Sequence, residues 1–117
     1  MPDQPRRRAV RLVAASGAAA GLLLLAAPQP VLDAVAPEFP RERRWLVRAL
    51  GARMLAQHAA VLARPGPTVL TAAAGVDLLH AATMLPFVAS PRYGRAARLS
   101  GAVALASALL ARRGAAG

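Results

Sequence analysis

The chain has 117 residues, of which 66 are apolar, and its mean hydropathy is +0.41. Most of the apolar residues are Ala (31), Leu (18) and Val (10); four residues are aromatic and Cys is absent. This composition excludes a disordered polar chain and a disulfide-stapled secreted module, and the length excludes a multidomain enzyme. Because the 20 charged residues cluster between long uncharged stretches, the pattern predicts a small integral membrane protein.

The net charge of +10 comes from 15 basic residues, all of them arginine. The arginines flank the apolar runs instead of forming one stripe with polar or aromatic partners, as a nucleic-acid surface would require. Positive charges at the ends of apolar runs attract anionic lipid head groups and are recognised by the membrane-insertion machinery. We therefore expect membrane lipids, through their anionic head groups, as partners, and no nucleic acid.

The first apolar segment covers residues 10–27 and is preceded by a run of arginines at 6–8. Eighteen helical residues span about 27 Å, which is enough for the hydrocarbon core of a bilayer. A cleaved signal peptide is the competing interpretation, because 34–36 offers small residues at a cleavage site. Pro37 would directly follow that cut and Pro28 would follow a cut at 26–27, so a retained anchor helix is favoured.

Three further spans are predicted, at 45–63, 68–89 and 95–112, after an irregular loop over 28–44 that contains four prolines. Proline and glycine at 65–67 form a tight turn between the second and third spans. The fourth span is short, so Arg95 and Arg98 must extend to the interface. The predicted fold class is an all-α integral membrane bundle of four transmembrane helices, with 1–117 as one membrane domain.

The predicted location is the inner (plasma) membrane, with several passes and both termini in the cytoplasm. The flanking arginines number seven on one side and six on the other, so orientation depends mainly on the first helix.

Four polar side chains of the second and third spans are predicted to form a cluster: Arg53, Gln57, Asp77 and His80. Arg53 lies near the middle of its span, where an arginine costs about 2.5–3.5 kcal/mol on insertion. If the turn at Gly66 joins two antiparallel helices, Asp77 lies at a depth along the helix axis between those of Arg53 and Gln57. Arg53 and Gln57 share one face of their helix. We therefore expect an Arg53–Asp77 pair whose remaining hydrogen bonds come from Gln57 and His80.

This cluster has two interpretations. In the favoured one, the hairpin neutralises its own charges and the cluster joins two helices. In the alternative, Asp77 and His80 pass a proton or hold an ion, since intramembrane ionisable residues mark function. A metal site is not supported, because no third ligand is near. His58 lies about 140° from Arg53 around the helix and is expected to pack against another helix or face head groups.

Two other patterns concern packing and lipid contact. Gly17 and Gly21 form a GxxxG pair, which lets helices approach closely within the chain or between copies. Arg92, Arg95 and Arg98 are predicted to form a lipid-facing basic collar at the start of the fourth span.

The sequence contains no catalytic or cofactor motif, so an enzyme is not expected and no cofactor is assigned. The stretch from Trp45 to Gln57, with the stretch from Val76 to Met84, resembles small multi-span membrane proteins of unassigned function from GC-rich actinobacteria. The resemblance implies a four-helix membrane fold and no activity. The expected function is structural or interactive, with a homo-oligomer or a larger membrane partner. The alternative is a small proton- or ion-coupled transporter that uses the Asp/His/Arg cluster.

Overall fold

The computed structural model describes residues 4–116, which are helical for most of their length and contain no strand. Four long helices dominate: α1 (Gln4–Ala26), α3 (Arg44–Ala63), α4 (Pro67–Met84) and α5 (Gly94–Ala116). A short helix, α2 (Pro28–Val35), follows α1, and single 3-10 turns cover Arg41–Arg43 and Leu85–Phe87. The predicted all-α class is confirmed.

The region 28–44 is not the irregular loop predicted from its prolines, because residues 28–35 form α2. Pro28 and Pro30 both lie in the first helical turn, where backbone N–H groups have no intrahelical acceptor and a fixed φ favours the helix. Leu32 is buried on the inner face of α2, and Gln29 Nε2 donates to Asp33 Oδ1 at 2.7 Å one turn later. Proline therefore starts a helix here instead of preventing one.

Helix α4 is shorter than the predicted span at 68–89, because it ends at Met84 and continues as a 3-10 turn. Pro86 explains this end, since its ring would clash with the carbonyl of Ala82 in a continued α-helix. Helix α5 contains the predicted fourth span and extends beyond it at both ends, whereas α1 begins six residues before the predicted first span and ends one residue short of it.

The long helices pack in two close pairs, α1 with α3 and α4 with α5, while α3 and α4 approach each other less closely. The α1–α3 contact depends on glycine. A Cβ on Gly21 would lie 2.6 Å from the backbone nitrogen of Leu55, and one on Gly51 would lie 2.6 Å from the carbonyl oxygen of Gly21. The predicted GxxxG contact is therefore formed within the chain.

The bundle has two distinct ends. At the terminal end, the start of α1, the 64–66 turn and the last turns of α5 lie together, and a small core contains Ala14, Val61, Leu70 and Ala73. At the loop end, α2 and residues 36–43 cover the start of α5, around a second core of Leu32, Ala36, Phe39 and Val47.

Two segments are long and apolar enough to cross a membrane, Gln4–Ala26 and Pro67–Phe87, and an 18-residue stretch of each has a mean hydropathy of 1.9 and 1.4, respectively. Only 11% and 22% of these 18-residue stretches, respectively, are buried inside the protein. Helices α3 and α5 do not meet the same criterion, because arginines interrupt α3 and occupy both ends of α5.

Candidate functional site

A polar cluster joins the middles of α3 and α4. Arg53 Nη1 donates to Gln57 Oε1 at 2.7 Å and to Asp77 Oδ1 at 3.3 Å, and Gln57 Nε2 donates to Asp77 Oδ2 at 3.0 Å. Asp77 is only 3% exposed, so these two donors replace the hydrogen bonds that water would give to an exposed carboxylate. Three of the four residues expected to cluster from the sequence are therefore brought together.

The cluster follows from local geometry. Arg53 and Gln57 are four residues apart and lie on the same face of α3, while the short turn after α3 brings α4 back at a matching level. The three side chains bridge the wider space between these helices, and Gln57 Nε2 also reaches the carbonyl oxygen of Ala73 at 3.5 Å. The side chain of Arg53 keeps 28% of its surface exposed, so the pair is buried mainly on the aspartate side.

His80 does not take the place expected for it, because it makes no side-chain hydrogen bond to the cluster. Its Nε2 atom is buried without a partner among the described residues. The ring instead borders a 560 Å³ cavity at the loop end, which all four aromatic residues of the chain also line: Phe39, Trp45, Phe87 and Tyr93. Tyr93 makes edge-on contacts with Phe39 and Phe87, at centroid distances of 5.3 and 5.9 Å.

His58 packs against α1, one of the two positions expected for it. A Cβ on Gly17 would overlap the imidazole ring, so this glycine makes the space that the ring fills. His58 Nδ1 lies 2.8 Å from the carbonyl oxygen of Met54 and is the donor, since a carbonyl only accepts. The contact between Gly17 and His58 was not predicted from the sequence. A glycine pattern shows where a helix can be approached closely, but it does not show which side chain of another helix fills the space.

Two cavities meet at the cluster. The larger, here called the terminal cavity, has a volume of 580 Å³ and extends from the cluster to the terminal end. The smaller has a volume of 280 Å³ and extends towards α2 and the loop end. Both are mainly apolar, and His58, Asp77 and Ser107 border each of them. Sequence reasoning did not find Ser107, because nothing along the chain relates it to Asp77.

The three arginines expected as a lipid-facing collar make contacts within the protein. Arg92 Nη2 donates to Glu42 Oε1 at 3.0 Å, and Arg95 Nε lies 3.5 Å from Glu38 Oε1. Arg98 Nη1 donates to the carbonyl oxygen of Val88 at 2.5 Å. Arg92 and Arg95 keep more than half of their side-chain surface exposed, so they connect the start of α5 and the residues before it to the segment between α2 and α3 while still reaching solvent.

Among residues 4–116, no three His, Asp or Glu side chains are grouped as metal ligands would be. The described fold and site define an all-helical bundle with a buried arginine–glutamine–aspartate cluster at its centre. Comparison with known protein families, curated proteins and solved structures gives no match for this chain.

Proposed function

We propose that the chain is a small integral membrane protein with four spans, which acts as a structural or interaction unit in the plasma membrane. The proposal rests on the exposure of apolar side chains on the outside of the bundle. Leu12, Leu79, Leu85 and Leu109 are each more than half exposed, and the two most apolar segments bury only small parts of their surfaces. An apolar helix in the core of a soluble protein would be mostly buried, whereas a helix facing lipid exposes its leucines.

The shape and the charges support the same proposal. The bundle is 48 Å long, close to the 40–45 Å of a bilayer with its head groups. Thirteen of the arginines lie within five residues of a helix end or in connecting segments, and Arg53, at mid-length of α3, is paired with Asp77. Pairing lowers the cost of placing α3 in a membrane. The terminal end would face the cytoplasm, as the first helix and its arginines favour.

The geometry of the cluster favours a structural role for it. Both carboxylate oxygens of Asp77 already accept hydrogen bonds, one of them from a guanidinium that neutralises the charge. A carboxylate engaged in this way is a poor site for a passing cation. The cluster therefore acts as a clasp between two helices whose backbones are not in close contact.

A proton- or ion-coupled transporter is the second candidate function, and the two cavities are the observation that favours it. They approach Asp77 from opposite ends of the bundle and share His58 and Ser107 as lining residues. Opening of the clasp would join them into a path through the bundle. Purified protein in sealed vesicles would then show a proton or cation flux that Asp77→Asn abolishes.

Topology is the direct test of the four-span proposal. Reporter fusions after residues 36, 66 and 94 and at residue 117 should lie outside, inside, outside and inside, respectively. The protein should also stay in the membrane pellet after alkaline carbonate extraction. Release by carbonate, or a soluble fragment beginning near Pro37, would overturn the proposal.

The interaction role is tested by purifying a tagged copy from native membranes in a mild detergent. A stable complex with another membrane protein, or a homo-oligomer that persists on dilution, is the expected result. A monomer that co-purifies with no protein but supports a flux would favour the transporter.

A further inference from the structure

Four arginines converge at the terminal end of the bundle. Arg6, Arg7 and Arg11 come from the first turns of α1, and Arg64 comes from the turn between α3 and α4. Together they line a cavity of 430 Å³, here called the headgroup cavity. Because like charges around one concave surface repel each other, the site is electrostatically suited to an anion.

The contrast with the loop end strengthens this argument. There, Arg92 and Arg95 are paired with Glu42 and Glu38. In residues 4–116, the ion pairs involve Arg53, Arg92 and Arg95, so no described carboxylate is paired with the four arginines of the headgroup cavity. At the loop end, two arginines are paired with carboxylates of the protein, whereas at the terminal end no carboxylate within residues 4–116 is paired with these four guanidinium groups.

The headgroup cavity adjoins the apolar terminal cavity. Arg6, Val10, Leu70 and Gly114 line both, so the two cavities lie side by side. The terminal cavity follows α1 from Pro5 to Ala14, which corresponds to about 14 Å of helix. Half of a bilayer core is about 15 Å thick, so the cavity is close to one leaflet deep. Its inner limit is the polar cluster, where Gln57 and Asp77 would stop an acyl chain.

We propose that these two cavities bind one anionic phospholipid, with its phosphate among the four arginines and an acyl chain in the terminal cavity. The proposal rests on the proposed membrane location of the protein. Guanidinium groups bind phosphate oxygens through paired hydrogen bonds, which explains the cationic end of the site. The apolar end explains why the ligand is a lipid and not free phosphate. The bound lipid would connect α1, the 64–66 turn and α5.

The test uses the purified full-length protein, freed of lipid in a non-ionic detergent. Native mass spectrometry then measures the occupancy of phosphatidylglycerol and of phosphatidylcholine with identical acyl chains. We expect a single phosphatidylglycerol bound in strong preference to phosphatidylcholine, and a preference that weakens as salt rises. Equal occupancy of the two lipids would overturn the proposal.

Charge-matched variants locate the site. The double variant Arg7→Gln/Arg64→Gln should lower phosphatidylglycerol affinity about thirtyfold, since each arginine near a lipid surface contributes about fivefold. The control Arg41→Gln/Arg44→Gln removes the same charge from exposed arginines at the loop end and should retain the affinity. Equal losses in the two double variants would show only a non-specific effect of net charge and would overturn the site.

The acyl-chain end is tested separately. Ala111→Leu fills the terminal cavity while leaving the headgroup arginines unchanged. It should weaken phosphatidylglycerol binding while leaving any weak binding of inorganic phosphate unaffected. If inorganic phosphate alone reproduced the thermal stabilisation given by phosphatidylglycerol, the ligand would be a free anion and the lipid assignment would be wrong.

These results are distinguishable from failure of the membrane proposal. A protein that resists carbonate extraction but shows no preference for anionic lipid would contradict the lipid site alone. A protein released by carbonate would contradict the membrane location on which the lipid site rests.

Discussion

Asp77 is the residue whose environment is most demanding. A carboxylate buried among apolar helices is costly unless its charge and its lone pairs are both satisfied. Arg53 supplies the charge, and Gln57 supplies a neutral donor while also accepting from Arg53. The three residues are therefore bonded to one another in all three pairs, and removing any one of them breaks two of the three hydrogen bonds.

The first prediction concerns the Arg53–Asp77 pair. Asp77→Asn and Arg53→Leu should each destabilise the protein by about 3 kcal/mol, the low end for broken buried pairs, because Arg53 is partly exposed. The double variant Arg53→Leu/Asp77→Leu should recover much of this loss, since no charge is left unpaired. Thermal unfolding in detergent measures all three, and additive losses in the double variant would show that the residues do not interact.

His80 provides the matched control for the cluster. Because it makes no hydrogen bond to Arg53, Gln57 or Asp77, His80→Leu should change stability by less than about 1 kcal/mol. Gln57→Leu should cost about 1–3 kcal/mol, because it leaves a buried oxygen of Asp77 without its donor. A larger loss for His80→Leu than for Gln57→Leu would reverse this assignment.

At the scale of elements, α1 and α3 depend on close backbone contact. Alanine-rich faces pack well only where nothing protrudes, and Gly21 and Gly51 remove the Cβ atoms that would separate the helices. The imidazole of His58 fills the equivalent position at Gly17 one turn away. This contact places α1 beside α3, and the terminal cavity lies between that pair and the pair of α4 and α5.

The second prediction compares two glycines. Gly21→Ala should destabilise the protein by about 1–3 kcal/mol, because its Cβ would meet the backbone of α3. Gly75→Ala should be neutral or stabilise by up to about 1 kcal/mol, since nothing lies within 4 Å of its Cβ and alanine favours a helix. The difference in unfolding midpoint between the variants measures the effect, and equal midpoints would contradict the close contact.

The third prediction concerns the loop that joins α2 to α3. A backbone hydrogen bond, followed by the Arg92 side chain, lowers the pKa of Glu42 below its ordinary value of 4.5. A lowered pKa contributes stability above the unfolded-state value, and the contribution is lost as the pH falls through the folded-state pKa. The wild type should therefore lose more stability than Glu42→Gln on acidification below 4.5. Parallel midpoint curves for the two proteins would contradict the contact.

At the scale of the whole molecule, large apolar side chains lie on the outer surface as well as in the two small cores. Many leucines and valines point outward along the length of the helices, while Asp77 and His58 are buried at the centre. The positive charges lie at both ends, so an apolar band separates two cationic rims. Lipid around this band would remove the exposed apolar side chains from unfavourable contact with water.

The fourth prediction uses the absence of cysteine from the chain, which permits single-cysteine labelling. In native membranes, Leu79→Cys should resist a water-soluble maleimide although Leu79 is 66% exposed on the protein surface. Gly66→Cys, in the open turn at the terminal end, should react readily once the membrane is permeabilised. Rapid labelling of both positions would show that water, not lipid, covers the helices.

The four long helices and most of the polar cluster could be predicted from the sequence. The lengths of the apolar runs and the positions of proline and glycine are local signals that predict where helices begin and end. In two helices joined by a short turn, residues equally far from the turn lie side by side, so the contacts among Arg53, Gln57 and Asp77 were predictable. The same local reasoning failed at His80 and at α2. Small differences in how a helix is rotated decide the partners of a side chain, and proline permits a first helical turn as well as a loop.

Which helices are neighbours could not be predicted from the sequence. The apolar faces of this chain are built mainly from Ala, Leu and Val, so by sequence any helix could pack against any other. The choice of α1 with α3 and α4 with α5 places Gly17 under His58 and gathers Arg6, Arg7 and Arg11 around Arg64. These contacts join residues far apart along the chain, and the free energy that selects them comes from packing of the whole bundle and not from any local pattern.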